Sequence, residues 1–151
     1  MKIKLIVYDF DGVMTDNTVY MDSNGGESVR DSRADGLAVE MLKERYQQLI
    51  LSSEKNNVVE MRAKKLGIGC LKGVERKLDT LNFYILEHRI ALDEVLYVGN
   101  DINDLDVMRE VGFAVCPADA SHEFRSIAGY TTKARGGHGV IRELLDFVGE
   151  C

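Results

Sequence analysis

The chain has 151 residues, the size of one ordinary domain that buries roughly 70% of its unfolded surface and needs no metal or disulfide to fold. Its 45% hydrophobic and 29% charged residues exclude a disordered, collagenous or membrane-spanning chain. Its net charge of −6, from 25 acids against 19 bases with no basic tract, argues against nucleic-acid or anionic-membrane partners.

The elements alternate along the chain. Short apolar runs at 3–8, 48–51, 95–98 and 113–115 read as strands, each bounded by Gly, Ser, Asp or Pro. The first is too short for a signal peptide's apolar core or a membrane span. Helical patterns occupy 37–45, 57–66, 77–88, 104–110 and 140–148. The expected fold is therefore α/β: a Rossmann-like three-layer sandwich, with a mostly parallel sheet covered by helices on both faces. Ligands of such sheets bind at the carboxyl ends of the strands. One stretch breaks the alternation. Residues 19–29 place Ser23-Asn24-Gly25-Gly26 between two extended halves, the chemistry of a β-hairpin. That hairpin, a flap over about 17–31, would hang over the end of the first strand. No insertion is long enough for a cap domain, so residues 1–151 read as a single domain. The three cysteines, Cys70, Cys116 and Cys151, are odd in number and lack CxxC spacing. They read as free thiols in a reducing cytoplasm.

Chemistry gathers at the strand ends. The first strand runs into Asp9-Phe10-Asp11-Gly12, two carboxylates that point the same way if the strand stays extended. Like charges so close repel, raise one pKa or recruit a cation, and oxygen ligands suit Mg²⁺. A turn cap explains Asp9 less well. The strand at 95–98 ends in Gly99-Asn100-Asp101-Ile102-Asn103-Asp104. Asp104 can be a helix N-cap, whereas Asp101 has no such local role and can complete an oxygen site with Asp9 and Asp11. Ser52, after the strand at 48–51, can donate to a phosphoryl oxygen or merely close a turn. Lys77 opens a helix, an unfavourable place for a cation unless an anion lies nearby. Asp35 reads as an N-cap for the helix at 37–45 or as support for the flap. His88 and His122 read as surface residues, and His138 as an exposed histidine or one able to approach a neighbouring site.

In this order the four stations resemble the motifs of the haloacid dehalogenase superfamily of phosphotransferases. Asp9-x-Asp11-Gly12-x-x-Thr15 resembles its first motif, Ser52 its second, Lys77 its third and Gly99-Asn100-Asp101-x-x-Asp104 its fourth. Asn100 stands where many relatives carry Asp. The length, the hairpin, Ala118-Asp119-Ala120 and Gly136-Gly137-x-Gly139 resemble the capless branch that contains the 3-deoxy-D-manno-octulosonate 8-phosphate phosphatases. Within it, the stretch from Ser52 to Leu66 is similar to the nonulosonate version: the deoxynononate 9-phosphate phosphatases and the phosphatase-like tail of sialic-acid cytidylyltransferases.

The resemblance implies a Mg²⁺-dependent phosphomonoester hydrolase acting on a 2-keto-3-deoxy sugar acid phosphate. Its first implied substrate is a nonulosonate 9-phosphate, and its alternative the octulosonate 8-phosphate. Asp9 would be the nucleophile that forms an aspartyl-phosphate, and Asp11 the general acid and base. Asp9, Asp11 and Asp101 would hold Mg²⁺, with Asn100 and Asp104 in support, and Ser52 and Lys77 would hold phosphoryl oxygens. Glu54, Arg62 and Lys65 would contact the sugar acid. In octulosonate enzymes the position of Glu54 is typically basic. Arg62 and Lys65 share a helix face by their spacing, opposite Val59, Ala63 and Leu66, and two cations suit a carboxylate. A homotetramer whose hairpins and tails close neighbouring sites is also implied. Two rivals are weaker. A receiver domain would carry its phosphorylated Asp on a middle strand, where this chain has Ser52-Ser53-Glu54. A silent oligomerisation module would not need the Asp9–Asp11 pair.

Overall fold

The structure, a computed structural model, describes residues 2–149. The chain forms β1 (Leu5–Tyr8), β2 (Tyr20–Met21), β3 (Glu27–Ser28), α1 (Arg33–Leu42), β4 (Gln47–Leu51), α2 (Val58–Leu66) and β5 (Gly69–Leu71). It continues with α3 (Lys77–Glu87), β6 (Val95–Val98), α4 (Leu105–Glu110), β7 (Phe113–Cys116), α5 (His122–Ile127), β8 (Tyr130–Thr131) and α6 (Val140–Gly149). Short 3-10 turns precede β6 and α4. Six strands form one sheet in the order β5-β4-β1-β6-β7-β8, with every pair parallel. Numbered within the sheet, this is the doubly wound order 3-2-1-4-5-6: the chain builds outward from β1 to β5, crosses back to β6 on the other side of β1, and so opens a crevice at the carboxyl ends of β1 and β6.

Strand alternation divides the core in two. Ile6 and Tyr8 pack with α1, α2 and α6, while Leu5 and Val7 pack with α3, α4 and α5. All four β1 side chains are 0% exposed. Each large apolar side chain so buried is worth about 1.5–3 kcal/mol, so the strand and the residues at its end are held without play. β2 and β3 pair antiparallel as a separate hairpin, and an isolated Thr15–Asp31 bridge closes its base.

The structure moves several sequence boundaries. The first helix starts at Arg33 and not at 37, because Ser32 caps it by accepting from Asp35 N at 3.3 Å. Its first turn is polar, so apolar periodicity missed it. Asp35 is therefore a buried first-turn residue, not the cap. The short edge strands β5 and β8 and the six-residue α5 carried too little pattern to read. Cys70 and Cys116 are free, and Cys151 lies outside the described residues.

Candidate active site

The ends of β1, β4 and β6 lie side by side, and the loops leaving them bound a cavity of about 100 Å³. Asp9, Asp11, Ser52, Ser53, Glu54, Asn100, Asp101 and Asn103 are among its lining. That is room for a phosphoryl group or a few waters. The chain leaves the strand at Tyr8, so the extended geometry expected for Asp9 and Asp11 does not occur. Phe10 turns into the core, Gly12 takes φ +83°, and the two carboxylates still reach one cavity. Only glycine adopts that φ without strain.

Below the cavity lies a charge cluster. Lys77 Nζ donates to Asp9 Oδ1 at 2.9 Å and to Asp104 Oδ1 at 2.7 Å, with its side chain 1% exposed. These carboxylates are the anions that its place at a helix start demanded. Asp104 also accepts from the Tyr97 hydroxyl and from Asn100 N, and its side chain makes no cap bond to α4. Burial opposes the Lys77 charge, but Asp9 and Asp104 outweigh it and hold its pKa above the usual lysine value. Burial, with the same two carboxylates, raises the Tyr97 hydroxyl well above the ordinary tyrosine range, so it stays a donor. Sequence reading missed Tyr97; its signal was a hydroxyl inside an apolar strand, which needs a partner once buried. Asp11 is half-buried, and burial, then Glu54 and Glu27, push its carboxyl up while Lys77 draws it down. A raised carboxyl suits a proton donor.

Two buried carboxylates facing one ammonium leave the cluster short of positive charge. The Asn100 side-chain amide meets Asp9 Oδ2 at 2.9 Å and the Asp11 carbonyl oxygen at 3.0 Å. With its nitrogen inward it donates to both. With its oxygen inward it sets a third oxygen beside Asp9 Oδ2 and the Asp11 carbonyl, donors of the kind Mg²⁺ prefers. These oxygens could hold a hard divalent cation, with the amide as one of them. Asp101 lines the same cavity, and its Oδ1 accepts from Ile102 N at 2.7 Å as the cap of the 3-10 turn. Among the described residues no three His, Cys, Asp or Glu side chains form a metal cluster.

Ser52 is 1% exposed, and its Oγ accepts from Glu54 N at 3.1 Å, which uses a lone pair and not the O–H. The turn bond is therefore made without the O–H. Glu54 lines the cavity while its Oε1 accepts from Lys55 N and Asn56 N. Arg62 and Lys65 are not among the cavity lining. They line a cleft of about 420 Å³ between the flap and α2, with Glu27, Val29 and Asp31. Arg62 Nε lies 2.8 Å from Asp31 Oδ2, and its Nη2 donates to Ser32 O at 3.1 Å. Val59, Ala63 and Leu66 are buried as the opposite face of α2. His138 meets Arg30 of the flap at 3.1 Å, and His88 stacks on Tyr84.

Comparison with known proteins finds hydrolases and phosphatases. The model of the haloacid dehalogenase-like hydrolase family matches residues 40–144. The 3-deoxy-D-manno-octulosonate 8-phosphate phosphatase KdsC of Escherichia coli K12 is 35% identical over 97% of this chain and 79% of its own length. Among solved structures, a HAD family hydrolase of Streptomyces avermitilis is 44% identical with TM-score 0.93, covering 96% of this chain and 90% of that one. The 3-deoxy-D-manno-octulosonate 8-phosphate phosphatase of Moraxella catarrhalis, solved with magnesium, phosphate and its sugar acid, is 31% identical with TM-score 0.94, covering 98% of this chain and 86% of that one. With its strand-end carboxylates, its buried lysine and these likenesses in agreement, the chain belongs to the haloacid dehalogenase-like hydrolase family.

Proposed function

We propose that the chain is a Mg²⁺-dependent phosphatase of 2-keto-3-deoxy sugar acid phosphates, with 3-deoxy-D-manno-octulosonate 8-phosphate as first substrate. The observation that carries the chemistry is one cavity holding Asp9, Asp11, Ser52 and the Asn100 amide above the buried Lys77. The octulosonate ester is favoured by the relatives, whose names carry that activity at 35% identity.

In this reading the Asp9 carboxylate attacks phosphorus in line and becomes an aspartyl-phosphate, while the ester oxygen departs. Asp11 protonates that oxygen, then takes the proton of the water that cleaves the aspartyl-phosphate. Lys77 offsets negative charge beside Asp9, and the Ser52 hydroxyl binds a phosphoryl oxygen. Asp9 Oδ2, the Asp11 carbonyl and the Asn100 amide would hold Mg²⁺, with Asp104 fixing the Asn100 backbone. Bound there, Mg²⁺ neutralises charge on the transferring group.

A second reading, a nonulosonate 9-phosphate, is favoured by Glu54, a carboxylate on the cavity wall where the octulosonate resemblance leads one to expect a base. The Arg62–Lys65 cleft under the flap would then take the sugar carboxylate. Assembly as a homotetramer is supported by flap side chains left open to solvent: Val19, Tyr20 and Met21 are 50%, 66% and 65% exposed. A cytoplasmic location fits the free Cys70 and Cys116, and among the described residues no helix is long and apolar enough to cross a membrane. Phosphate release from the eight-carbon and nine-carbon esters, side by side with Mg²⁺ and with EDTA, tests the reading. Preference for the octulosonate ester supports the first substrate. Preference for a nine-carbon ester supports Glu54 as its reader. No release from any ester rejects the phosphatase.

A further inference from the structure

The segment 133–139 and the Ala118-Asp119-Ala120 turn take no part in the steps above, yet they touch the loop that carries them. Gly137 N donates to Val13 O at 3.1 Å. A Cβ on Gly136 would lie 2.1 Å from the Gly12 carbonyl oxygen, and one on Gly137 would lie 2.5 Å from Asp16 N. Backbone thus packs on backbone, at a separation only glycine permits. The loop itself is held by Phe10 O, which is approached by the N–H groups of Val13, Met14 and Thr15 at 2.9–3.3 Å. Inside it sits Asp11, whose carbonyl is one cation donor and whose carboxyl reaches the cavity.

Two carboxylates outside the cavity hold the segment by its N–H groups, and a third holds the helix that follows it. Asp119 Oδ1 accepts from Gly136 N at 3.0 Å. Glu143 accepts from Lys133 N at 2.8 Å and Ala134 N at 2.9 Å, folding the segment back onto α6. Asp35 Oδ1 accepts from Arg142 N at 2.9 Å and so caps α6 from another helix. Asp35 is 2% exposed, so this bond between α1 and α6 is made in the interior.

We propose that residues 133–139 form a strap that sets the position of Asp11, and that Asp119, Glu143 and Asp35 are positioning residues acting through it; the proposal rests on the phosphatase reading above. Strap and loop leave no slack between them, so freeing the strap displaces the Asp11 carbonyl from Asp9 and the Asn100 amide. A misplacement of ~1 Å can cost ~100-fold in rate, and a partial one about tenfold.

The test compares wild type, Asp119→Ala and Asp119→Asn, with folding followed by circular dichroism. Mg²⁺ binding is measured by isothermal titration calorimetry, and kcat and KM by phosphate release. Asp119→Ala is expected to lower kcat and Mg²⁺ affinity each about tenfold with KM little changed. Asp119→Asn keeps the acceptor oxygen and is expected to restore both. Gly136→Ala, read the same way, is expected to lose more, because its Cβ meets main chain. Unchanged Mg²⁺ affinity and kcat in folded Asp119→Ala, or a loss confined to KM, overturns the strap. A wild type that neither binds Mg²⁺ nor releases phosphate overturns the phosphatase reading and the proposal with it.

Discussion

The cavity floor and the root of the flap use one device for opposite ends. In each, a long cation bridges two acceptors. Lys77 joins Asp9 to Asp104 with its side chain 1% exposed, and Arg62 joins Asp31 to the Ser32 carbonyl with its side chain 11% exposed. The acceptors of Lys77 come from the end of β1 and the turn after β6, so its charge lies under the cavity that Asp9 lines. The acceptors of Arg62 belong to the flap's return limb and the cap of α1, so its charge fastens one element to another. What a cation does here is decided by where its acceptors lie, not by its residue type. The flap therefore rests on a pinned root, while its tip is held to α2's approach by Asn56 donating to Glu27 at 2.9 Å.

The largest expected effect falls on the floor. Asp9→Asn should abolish turnover while the fold stays intact, read by phosphate release and circular dichroism; normal turnover would remove Asp9 from the nucleophile's role. Next is Lys77→Met. It strips two buried carboxylates of their counter-charge and should cost about 3–5 kcal/mol in urea unfolding as well as nearly all activity. A stable, active variant would break the comparison at its stronger side.

Smaller effects are expected at the root. Arg62→Ala should lower stability by about 1–3 kcal/mol, because Asp31 and Ser32 O lose a charged partner. It should slow the hydrolysis of p-nitrophenyl phosphate and of a sugar acid ester alike. Lys65→Ala, on an exposed position, should leave stability unchanged. A KM increase for the sugar acid ester alone, in either variant, would make that residue a substrate reader and erase the distinction drawn here.

The smallest effect concerns pH. Burial works against the Glu143 carboxylate, but the N–H groups of Lys133 and Ala134 and the Tyr130 hydroxyl hold its pKa below the usual value. The folded state thus binds its proton less readily than the unfolded state. That contribution is present above the unfolded pKa, near 4.3, and is lost as pH falls through the folded one. Glu143→Gln should flatten the acid limb of a stability-against-pH curve measured by urea unfolding. An unchanged limb would show that the strap is held without it.

Much of the site was legible because strands are short and their ends are punctuated. An apolar run stopped by Asp9, Ser52 or Gly99 marks a strand end, and a parallel sheet brings all such ends to one edge. Lys77 was legible as a cation in an uncomfortable place. Asn100 and Asp101 were harder to order, since neighbours in sequence differ only in which way the turn points them. Arg62 and Lys65 looked alike on one helix face, and only the flap's return limb separates their surroundings.

By itself the sequence determined the α/β alternation, the flap after the first strand and the acidic stations, because apolar period, turn chemistry and charge are local properties. Tertiary structure alone decided that the Asn100 amide meets Asp9, that Tyr97 and Asp104 close the charge cluster, and that Asp35 caps a helix over a hundred residues away. Those choices depend on long-range packing that brings distant chain segments within hydrogen-bond reach, and burial then makes every unpaired polar group there costly.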